Sequence, residues 1–404
     1  MIDPLMRDLS VGGAVLGNLS AFYFYAYAGL QIPVGIMLDR WGPQRVLSVA
    51  AAFAAVGSML FATADSLPLV YAGRLMIGAG SAFGFVGSLK LAGIWFPPRR
   101  FGQLSGLTLM AGMFGGIAGQ APLALLIEST GWRPALMGAG AVGAVLSLAI
   151  WAIVRDRPAA TTMPAPTPAP ADHDSRPLAL LWRVVGRPQN LALAFVGAAM
   201  TAPLLAFAGL WGVAWLMQAH GMARPEAAAT TSLLLIGWAF GAPLAGTVSD
   251  RLRRRKPVLV AAAAGGFICL CALLYAPIAP GVVLSGLFFT TGLFLGGMVV
   301  SYALTRDANP TRLTGTAIAF VNMVVTATGA LFQPLIGALL DRRWDGAMID
   351  GARLYAPEAY RGALSVLAVF LFMGLLVSLA IHETGARATP RDLDLANVAP
   401  ARRS

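Results

Sequence analysis

The sequence predicts an all-α integral membrane protein, and three observations lead to that fold class. Hydrophobic residues make up 57% and charged residues only 12% of the 404 residues, against about 45–50% and about 25% in soluble domains. The apolar residues form long uninterrupted segments, and most of the charges stand between those segments. So few charges leave too little polar surface for a soluble chain of this size, and we expect the excess apolar residues to face lipid.

Eleven apolar segments are long enough to cross a hydrocarbon core of about 30 Å, which takes roughly 20 helical residues. The first segment would extend about 40 Å as a helix, which suits one tilted span and is too short for two. The eleven segments cover residues 12–38, 46–65, 68–95, 102–127, 134–154, 189–217, 226–248, 257–277, 281–304, 314–340 and 363–382.

Lysine and arginine are unevenly divided between the two sets of connecting loops. One set, with the C-terminal tail, holds 20 of the 29 basic residues, and the opposite set holds 7. Because basic loops stay in the cytoplasm, we expect a cytoplasmic C-terminus and, with an odd number of spans, an extracytoplasmic N-terminus. The net charge of +11 is interpreted as this topology signal, and no nucleic-acid partner is expected. Low lysine with abundant alanine and arginine favours a GC-rich bacterium and its inner membrane.

A proline- and alanine-rich segment divides the spans into five and six. Its stretch PAPTPAPA is expected to be extended and semi-rigid, and PLALLWRVVGR to form a short interfacial helix. The predicted organisation is an N-terminal bundle (1–154), a cytoplasmic linker (155–188), a C-terminal bundle (189–382) and a cytoplasmic tail (383–404).

The N-terminal residues 1–11 lack the charged and apolar regions of a signal peptide. They are typical of the loop that would follow an absent first span, whose restoration would give six spans in each half. A late start codon or a fragment is the expected explanation, and a genuine truncation is the alternative.

The two halves share a short motif at the end of a span. GIMLDR (35–40) and GTVSDR (246–251) both have glycine, three residues and then Asp-Arg, with Pro33 or Pro243 shortly upstream. A weaker repeat pairs residues 103–128 with 312–341. Internal repeats at corresponding positions are typical of transporter folds.

The segment GIMLDRWGPQR resembles the loop signature of the major facilitator superfamily, in which glycine, an Asp-Arg pair, a second glycine and basic residues recur. RLMIGAG (74–80) resembles the family's helix-4 pattern, and residues 95–106 resemble the entry to its helix 5. Gln44 stands at a position that is usually basic, and Arg253 replaces the later glycine of the second copy. The matching loop residues are Gly35, Asp39, Arg40, Gly42 and Arg45 in the first copy, and Gly246, Asp250 and Arg251 in the second.

This resemblance implies two pseudo-symmetric helical bundles in a 6+6 pattern, of which 5+6 helices are visible here. Within the superfamily, the chain is similar to sugar-phosphate-permease-like and lysosomal-dipeptide-transporter-like bacterial members. The loop residues would then form a conformational latch on the cytoplasmic side, in which Gly35 permits close helix approach. Asp39 would face a helix N-terminus and pair with Arg40 or Arg45. A charged turn that only holds the topology is the alternative.

Two cations lie within one predicted span. Arg74 is roughly 10 Å deep at about 1.5 Å per residue, and a charge there is costly unless it faces a cavity or a partner. The family resemblance implies a cavity residue that relays protons or holds an anion, and snorkelling is the alternative. Lys90 lies about 24 Å further along the helix and about 160° around it, so the two cannot form one binding fork. Lys90 is a second cavity candidate or a snorkelling residue.

Further candidates for the substrate cavity are polar and aromatic. Tyr23, Tyr27 and Gln31 recur every four residues and form one stripe, which either lines the path or makes interhelical hydrogen bonds. The same ambiguity applies to Gln120, Asn322 and Gln333, and Trp211 is either a cavity wall or an interface anchor.

No Asp, Glu or His stands in the middle of an apolar segment, although proton symport usually requires one. The leading hypothesis is therefore a secondary or facilitative transporter of a small organic anion or zwitterion, with coupling to protons or a counter-ion left open. A proton-coupled drug exporter is one alternative, and an inactive or receptor-like truncated protein is another. No nucleophile–base pair or metal-ligand set is present, so we expect no enzyme activity, cofactor or metal, and a monomer in the bilayer.

Overall fold

The computed structural model describes a chain that is predominantly helical. The described residues are 5–6, 8, 11–96, 107–108, 111–119, 121–156, 182–349 and 352–383. Within them, ten helices are long and apolar enough to cross a membrane. Each of the eleven predicted segments coincides with helix in this part of the chain, which confirms the all-α membrane fold class.

One long helix is not among those ten. This helix, α1 (Gly13–Trp41), has 29 residues. Its length suits a tilted span, but Asn18, Gln31 and three tyrosines interrupt its apolar surface. These polar residues lower the hydropathy of α1, and they also make this helix a candidate part of the functional site.

Four further helices lie in the described part of the first half. Helices α2 and α3 join through a short turn, and α2 packs against both α3 and α5, while α1 packs against α3. The span that contains α4 begins at Ala111. The bounds are α2 (Pro43–Thr63), α3 (Leu67–Trp95), α4 (Ala121–Thr130) and α5 (Trp132–Ile153).

The second half contains longer spans, two of which include an irregular turn. A π-helical segment and a 3-10 turn interrupt spans of 33 and 27 residues. The elements are α6 (Pro188–Ala202), the π-helical segment (Pro203–Trp211), α7 (Gly212–His220), α8 (Arg224–Leu252), α9 (Lys256–Tyr275), α10 (Val282–Leu295), the 3-10 turn (Gly296–Met298), α11 (Val299–Ala308), α12 (Thr311–Asp341), an antiparallel hairpin of β1 (Met348–Ile349) and β2 (Ala352–Arg353), and α13 (Pro357–Ala380).

The chain forms two compact units. One comprises the described residues of 1–171, 205–235 and 326–366, and the other comprises those of 172–204, 236–325 and 367–404. These units divide α8, α12 and α13, whereas the predicted bundles follow chain order. The bundle boundaries at 154 and 189 stay a prediction.

A carboxylate caps the helix that follows each copy of the loop motif. Asp156, just beyond α5, accepts a hydrogen bond from the backbone N–H of Gln44 at 2.7 Å, in the first turn of α2. Glu383, just beyond α13, accepts from the backbone N–H groups of Arg255 and Lys256 at 3.1 and 2.9 Å, where α9 begins. Carboxylates at helix N-termini satisfy otherwise unpaired donors and the helix dipole, and this shared device agrees with the internal repeat.

Candidate functional site

Helices α1 and α3 cross in direct backbone contact at Gly78. A Cβ atom on Gly78 would overlap the carbonyl oxygen of Tyr23, so only glycine fits there. Arg74 precedes Gly78 by one helical turn and therefore lies on the same face of α3. The crossing places the guanidinium of Arg74 over the aromatic ring of Tyr23, with 5.6 Å between Cζ and the ring centroid.

Arg74 is half-buried and has no counter-charge in the described part of the chain. None of the described carboxylates lies within 4.0 Å of its guanidinium. By contrast, Arg133 pairs with Asp65 at 3.2 Å. An arginine has five N–H donors in a planar fork, and no described carboxylate accepts from those of Arg74.

The predicted polar-aromatic stripe continues from Tyr23 along α1. Tyr23 and Tyr27 stack with 5.8 Å between ring centroids, and the Ser81 side chain on α3, which donates to the Ile77 carbonyl at 2.8 Å, lies near the Tyr23 side chain. Gln31 donates to the backbone carbonyl of Tyr27 at 3.4 Å. Arg74, Ser81 and the stripe therefore form one polar strip where α1 meets α3.

Lys90 lies 16 residues beyond Arg74, towards the other end of α3, and the two do not share a site. It is partly buried. A mainly apolar groove of about 560 Å³ opens at that end of α3, between Trp95, Leu107 and Ile153, with Arg155 at its edge. None of the predicted cavity residues is part of its lining.

Trp211 and Gln333 were cavity candidates, with an interface anchor and interhelical hydrogen bonding as the respective alternatives, and both lie in the interior of this structure. Trp211 is 0% exposed and Gln333 is 2% exposed. The Trp211 indole N–H donates to the Gln333 carbonyl at 3.1 Å, and the Gln333 amide donates to the Leu205 carbonyl at 2.8 Å. In this structure, these two hydrogen bonds tie α12 to the π-helical segment.

Asn322 accepts a hydrogen bond from the Tyr302 hydroxyl at 2.9 Å, which links α12 to α11. Tyr302 was not singled out from the sequence, because a lone tyrosine in an apolar segment carries no signal of its partner. Gln120, the remaining cavity candidate, lies outside the described residues.

The first loop motif turns at Gly42, which has a φ of +79°. A Cβ there would meet the Asp156 carboxylate at 2.5 Å, so glycine is required both by the backbone conformation and by space. Gln44, the departure from the family pattern, donates from Nε2 to the Trp151 carbonyl at 2.8 Å. This hydrogen bond links α2 to the end of α5.

The predicted pairing of Asp39 with Arg40 or Arg45 is not tested by the described residues and stays a prediction. Arg40 and Arg45 are exposed, and the Asp39 side chain lies outside the described residues. No atom of the described chain lies within 4 Å of a Cβ placed on Gly35. Among the described residues, no helix therefore approaches Gly35 closely.

The second motif contributes to an ion-pair network. Asp250 pairs with Arg255 at 2.7 Å, and Arg255 pairs with Asp307 at 2.8 Å. Burial alone would lower the pKa of Arg255, but hydrogen bonds to Asp307 and Asp250 raise it overall. Arg251 is exposed, and no described atom lies within 4 Å of a Cβ on Gly246. Sequence reasoning missed Arg255 because it stands in a run of five basic residues.

A further cluster lies at the Gly13 end of α1, and sequence reasoning did not find it. The Asp341 carboxylate, which ends α12, accepts from the backbone N–H groups of Gly13 and Ala14 at 2.9 and 2.7 Å. It also accepts from the Tyr355 hydroxyl at 2.5 Å and pairs with Arg353 at 3.1 Å. We call these five residues the Asp341 cluster.

The only sequence signal for this cluster is indirect. The residue before α1 is Gly12, which makes no side-chain capping hydrogen bond. A helix that begins without a Ser, Thr, Asp or Asn cap needs another acceptor for its first N–H groups. That acceptor comes from a residue 328 positions away in the chain, which local sequence does not identify.

The family comparison covers most of the chain. A family model described as Major Facilitator Superfamily matches residues 1–333 and 193–395. A solved structure of a bacterial homologue of the human lysosomal transporter Spinster, in an inward-facing and unoccupied conformation, has a TM-score of 0.75 at 19% identity. It covers 96% of this chain and 93% of that chain, and at this identity the likeness shows the fold alone.

Two curated relatives differ in their described roles. The probable sulfoacetate transporter SauU of Cupriavidus necator is 27% identical over 260 residues, which is 62% of this chain and 60% of that protein. The membrane sensor protein UhpC of Salmonella typhimurium is 24% identical over 391 residues, which is 91% of this chain and 85% of that protein. A further relative, the uncharacterized transporter YybO of Bacillus subtilis, is matched over only 34% of its own length.

Proposed function

This chain belongs to the major facilitator superfamily, and we propose that it is a secondary transporter that moves a small organic anion or zwitterion by alternating access. The observation that carries the proposal is the guanidinium of Arg74, half-buried over Tyr23 and without a counter-charge among the described residues. The protein is a multi-pass membrane protein that handles a small solute, and the anionic substrate class is the part we propose.

An arginine inside a membrane span is costly unless a ligand, a cavity or a partner compensates its charge. With no described carboxylate to neutralise it, Arg74 is available to the substrate. The planar guanidinium matches the geometry of carboxylate, sulfonate and phosphate groups and binds them through two parallel hydrogen bonds. The Tyr23 ring orients the guanidinium by a cation–π contact. The name of SauU, a probable sulfoacetate transporter, supports an anionic substrate.

We also propose an orientation, with the Gly13 end of α1 on the extracytoplasmic side of a bacterial inner membrane and the C-terminus in the cytoplasm. The supporting observation is the division of basic residues, 20 on the loop-motif side and 7 on the other. The two loop motifs then lie on the cytoplasmic side. There we assign them to conformational cycling, with the Asp250–Arg255–Asp307 network as the described part of that latch.

The transport proposal is tested with purified protein in proteoliposomes. Uptake of radiolabelled sulfoacetate and a panel of small dicarboxylates is measured for the wild type, Arg74→Ala and Arg74→Lys. A lost charge-assisted bidentate contact is worth about 1.5–3 kcal/mol, so Arg74→Ala should lower uptake at subsaturating substrate by roughly 10- to 100-fold. Arg74→Lys should fall between, because an ammonium group is a point charge.

Arg342→Ala is the matched control, since Arg342 is exposed in the connection after α12 and should leave uptake unchanged. Exclusive transport of cationic drugs, indifferent to Arg74→Ala, would contradict the proposal and favour the drug-exporter alternative. Equal uptake by Arg74→Ala and the wild type would also remove Arg74 from the site.

A receptor-like function is the second candidate, because the sensor UhpC matches 91% of this chain. A sensor would bind the anion without net flux. Binding measured by tryptophan fluorescence or calorimetry, together with no counterflow in proteoliposomes, would favour that candidate. Counterflow of the bound anion would favour transport.

A further inference from the structure

We propose that the turn between α8 and α9 binds the headgroup of an anionic phospholipid through the exposed guanidinium groups of Arg251, Arg253 and Arg254. The partner is the surrounding bilayer, so this inference goes beyond the transport of a solute. Only the choice of leaflet, the cytoplasmic one, rests on the orientation proposed above.

The backbone of this turn is strained at an arginine. Arg253 has a φ of +52° and is the only non-glycine residue with a positive φ in the described part of the chain. Its N–H donates to the Asp250 carbonyl at 3.2 Å, just beyond the end of α8. In this left-handed conformation the Cβ of an L-residue crowds a carbonyl oxygen, so glycine is the usual occupant.

The first loop motif does have a glycine at the corresponding turn. The two motif copies align Gly42 with Arg253, and Gly42 has a φ of +79°. The second copy therefore keeps the left-handed turn but places a long cationic side chain on it. Strained residues persist where the surrounding structure holds them, often at functional positions. The guanidinium is the part of Arg253 that a glycine would lack.

The carboxylates near this turn already have partners. Arg255, whose side chain is only 12% exposed, pairs with Asp250 at 2.7 Å and with Asp307 at 2.8 Å. Glu383 accepts from the first backbone N–H groups of α9. The N-terminus of α9 is thus capped, and an anion at this turn would be bound by side chains.

The three remaining arginines of the turn point to solvent. Arg251, Arg253 and Arg254 are all exposed, and no described carboxylate lies within 4.0 Å of their guanidinium groups. Four consecutive residues therefore present three cationic side chains without an ion pair. Such a cluster next to a spanning helix is typical of a surface that attracts anionic lipid.

An exposed apolar stripe on α8 leads to these arginines. Phe240, Leu244 and Val248 recur every four residues and are 62%, 53% and 37% exposed. Arg251 follows Val248 by three residues and therefore lies on the same face of the helix. Leu252, the last residue of α8, is also exposed. Apolar side chains along a spanning helix suit acyl chains, and arginines at its end reach the headgroups.

The charge of the turn selects the class of lipid. Guanidinium groups bind phosphate oxygens through parallel hydrogen bonds, and each basic residue near the surface strengthens binding to anionic lipid by about fivefold. The phosphate of phosphatidylcholine is accompanied by a quaternary ammonium group, whereas phosphatidylglycerol keeps a net negative charge. Free phosphate would lack the contact with the apolar stripe. An anionic phospholipid fits both features.

Native mass spectrometry of the detergent-solubilised full chain measures this binding without substrate or a transport assay. The protein is titrated with phosphatidylglycerol and with phosphatidylcholine that has the same acyl chains. Phosphatidylglycerol should bind roughly 10- to 100-fold more tightly. Inorganic phosphate at the same concentration should not displace it.

Arg253→Gly separates the side chain from the shape of the turn. Glycine adopts the left-handed conformation without strain, so the Tm of this variant in phosphatidylcholine should rise, while its affinity for phosphatidylglycerol should fall about fivefold. Arg253→Lys keeps both the charge and the strain. It should retain most of the affinity and show no rise in Tm.

A double variant tests the other two arginines of the turn. Arg251→Gln combined with Arg254→Gln should lower the affinity for phosphatidylglycerol by about 25-fold. Arg342→Gln combined with Arg343→Gln is the matched control, because both arginines are exposed after α12 and the charge changes by the same amount. The control should keep the affinity of the wild type.

Equal affinities of the wild type for the two lipids would overturn the site, as would a preference for phosphatidylglycerol that Arg253→Gly and the double variant leave intact. Displacement of the lipid by inorganic phosphate would overturn the assignment to a phospholipid. Absent anion uptake with a normal lipid preference would instead remove the proposed function and leave the lipid site in place.

Discussion

The guanidinium of Arg74 lies 5.6 Å from the ring centroid of Tyr23, which joins the charge of α3 to the polar stripe of α1. Two features that the sequence showed separately, a cation within a span and a repeat of tyrosines, therefore lie together in one site. An anion bound by Arg74 would lie beside the Tyr23 and Tyr27 rings, which stack on each other.

The Tyr23 ring is therefore predicted to matter more than its hydroxyl. Tyr23→Ala removes the cation–π contact, worth about 0.5–2 kcal/mol, and should raise KM for the anion by roughly 2- to 30-fold. Tyr23→Phe keeps the ring and should change KM by less than about threefold. Initial uptake rates in proteoliposomes check both values, and a loss in Tyr23→Phe as large as that in Tyr23→Ala would show that the hydroxyl is the important group.

The helix crossing at Gly78 is predicted to be intolerant of a single methyl group. Gly78→Ala would place a Cβ against the backbone of Tyr23, and relieving that overlap should cost about 1–3 kcal/mol. Thermal unfolding in detergent should show a lower Tm, and anion uptake should fall because Arg74 and Tyr23 move apart.

Gly84→Ala in the same helix is the control for that experiment. No described atom lies within 4 Å of a Cβ at Gly84, so the substitution should leave Tm unchanged or raise it slightly through better helix propensity. Equal Tm values for the two variants would mean that the backbones of α1 and α3 are further apart than the structure shows.

The two capping carboxylates are predicted to contribute similarly to stability. Asp156→Ala removes the acceptor for the Gln44 N–H, and Glu383→Ala removes the acceptor for two N–H groups of α9. A lost N-terminal cap costs about 0.5–2 kcal/mol, so both variants should have a lower Tm. Glu128→Ala, at an exposed position, should not, and a Tm for Asp156→Ala equal to that of this control would argue against the cap.

Much of the fold was predictable because the length of each apolar segment can be read directly from the local sequence. The eleven apolar segments coincide with helix in the described residues, and the repeated loop motif pointed to the family that the comparison shows. The site was predictable only in parts. Tyr23, Tyr27 and Gln31 were expected on one face because a helix repeats nearly every four residues, and Arg74 was expected to need a partner because a charge in a membrane is costly.

For other residues, side-chain chemistry left two environments open. Trp211 and Gln333 have side chains that suit a cavity wall or a hydrogen bond between helices, and in the structure Gln333 donates to the Leu205 carbonyl and both residues are interior. Gly35 was expected at a helix contact, and none of the described residues lies within 4 Å of a Cβ placed there. Side-chain chemistry alone does not distinguish these environments, since the same polar atom can face a cavity or a neighbouring backbone.

By itself, the sequence determined the membrane fold class, the positions of the apolar helices and the family, because these depend on hydropathy and motif spacing along the chain. The tertiary structure alone decided which polar groups meet: Arg74 with Tyr23 across the Gly78 crossing, and Asp341 with the first N–H groups of α1, 328 positions away. Such pairs depend on how closely two backbones approach. That distance is set by the packing of whole helices, and no local stretch of residues predicts it.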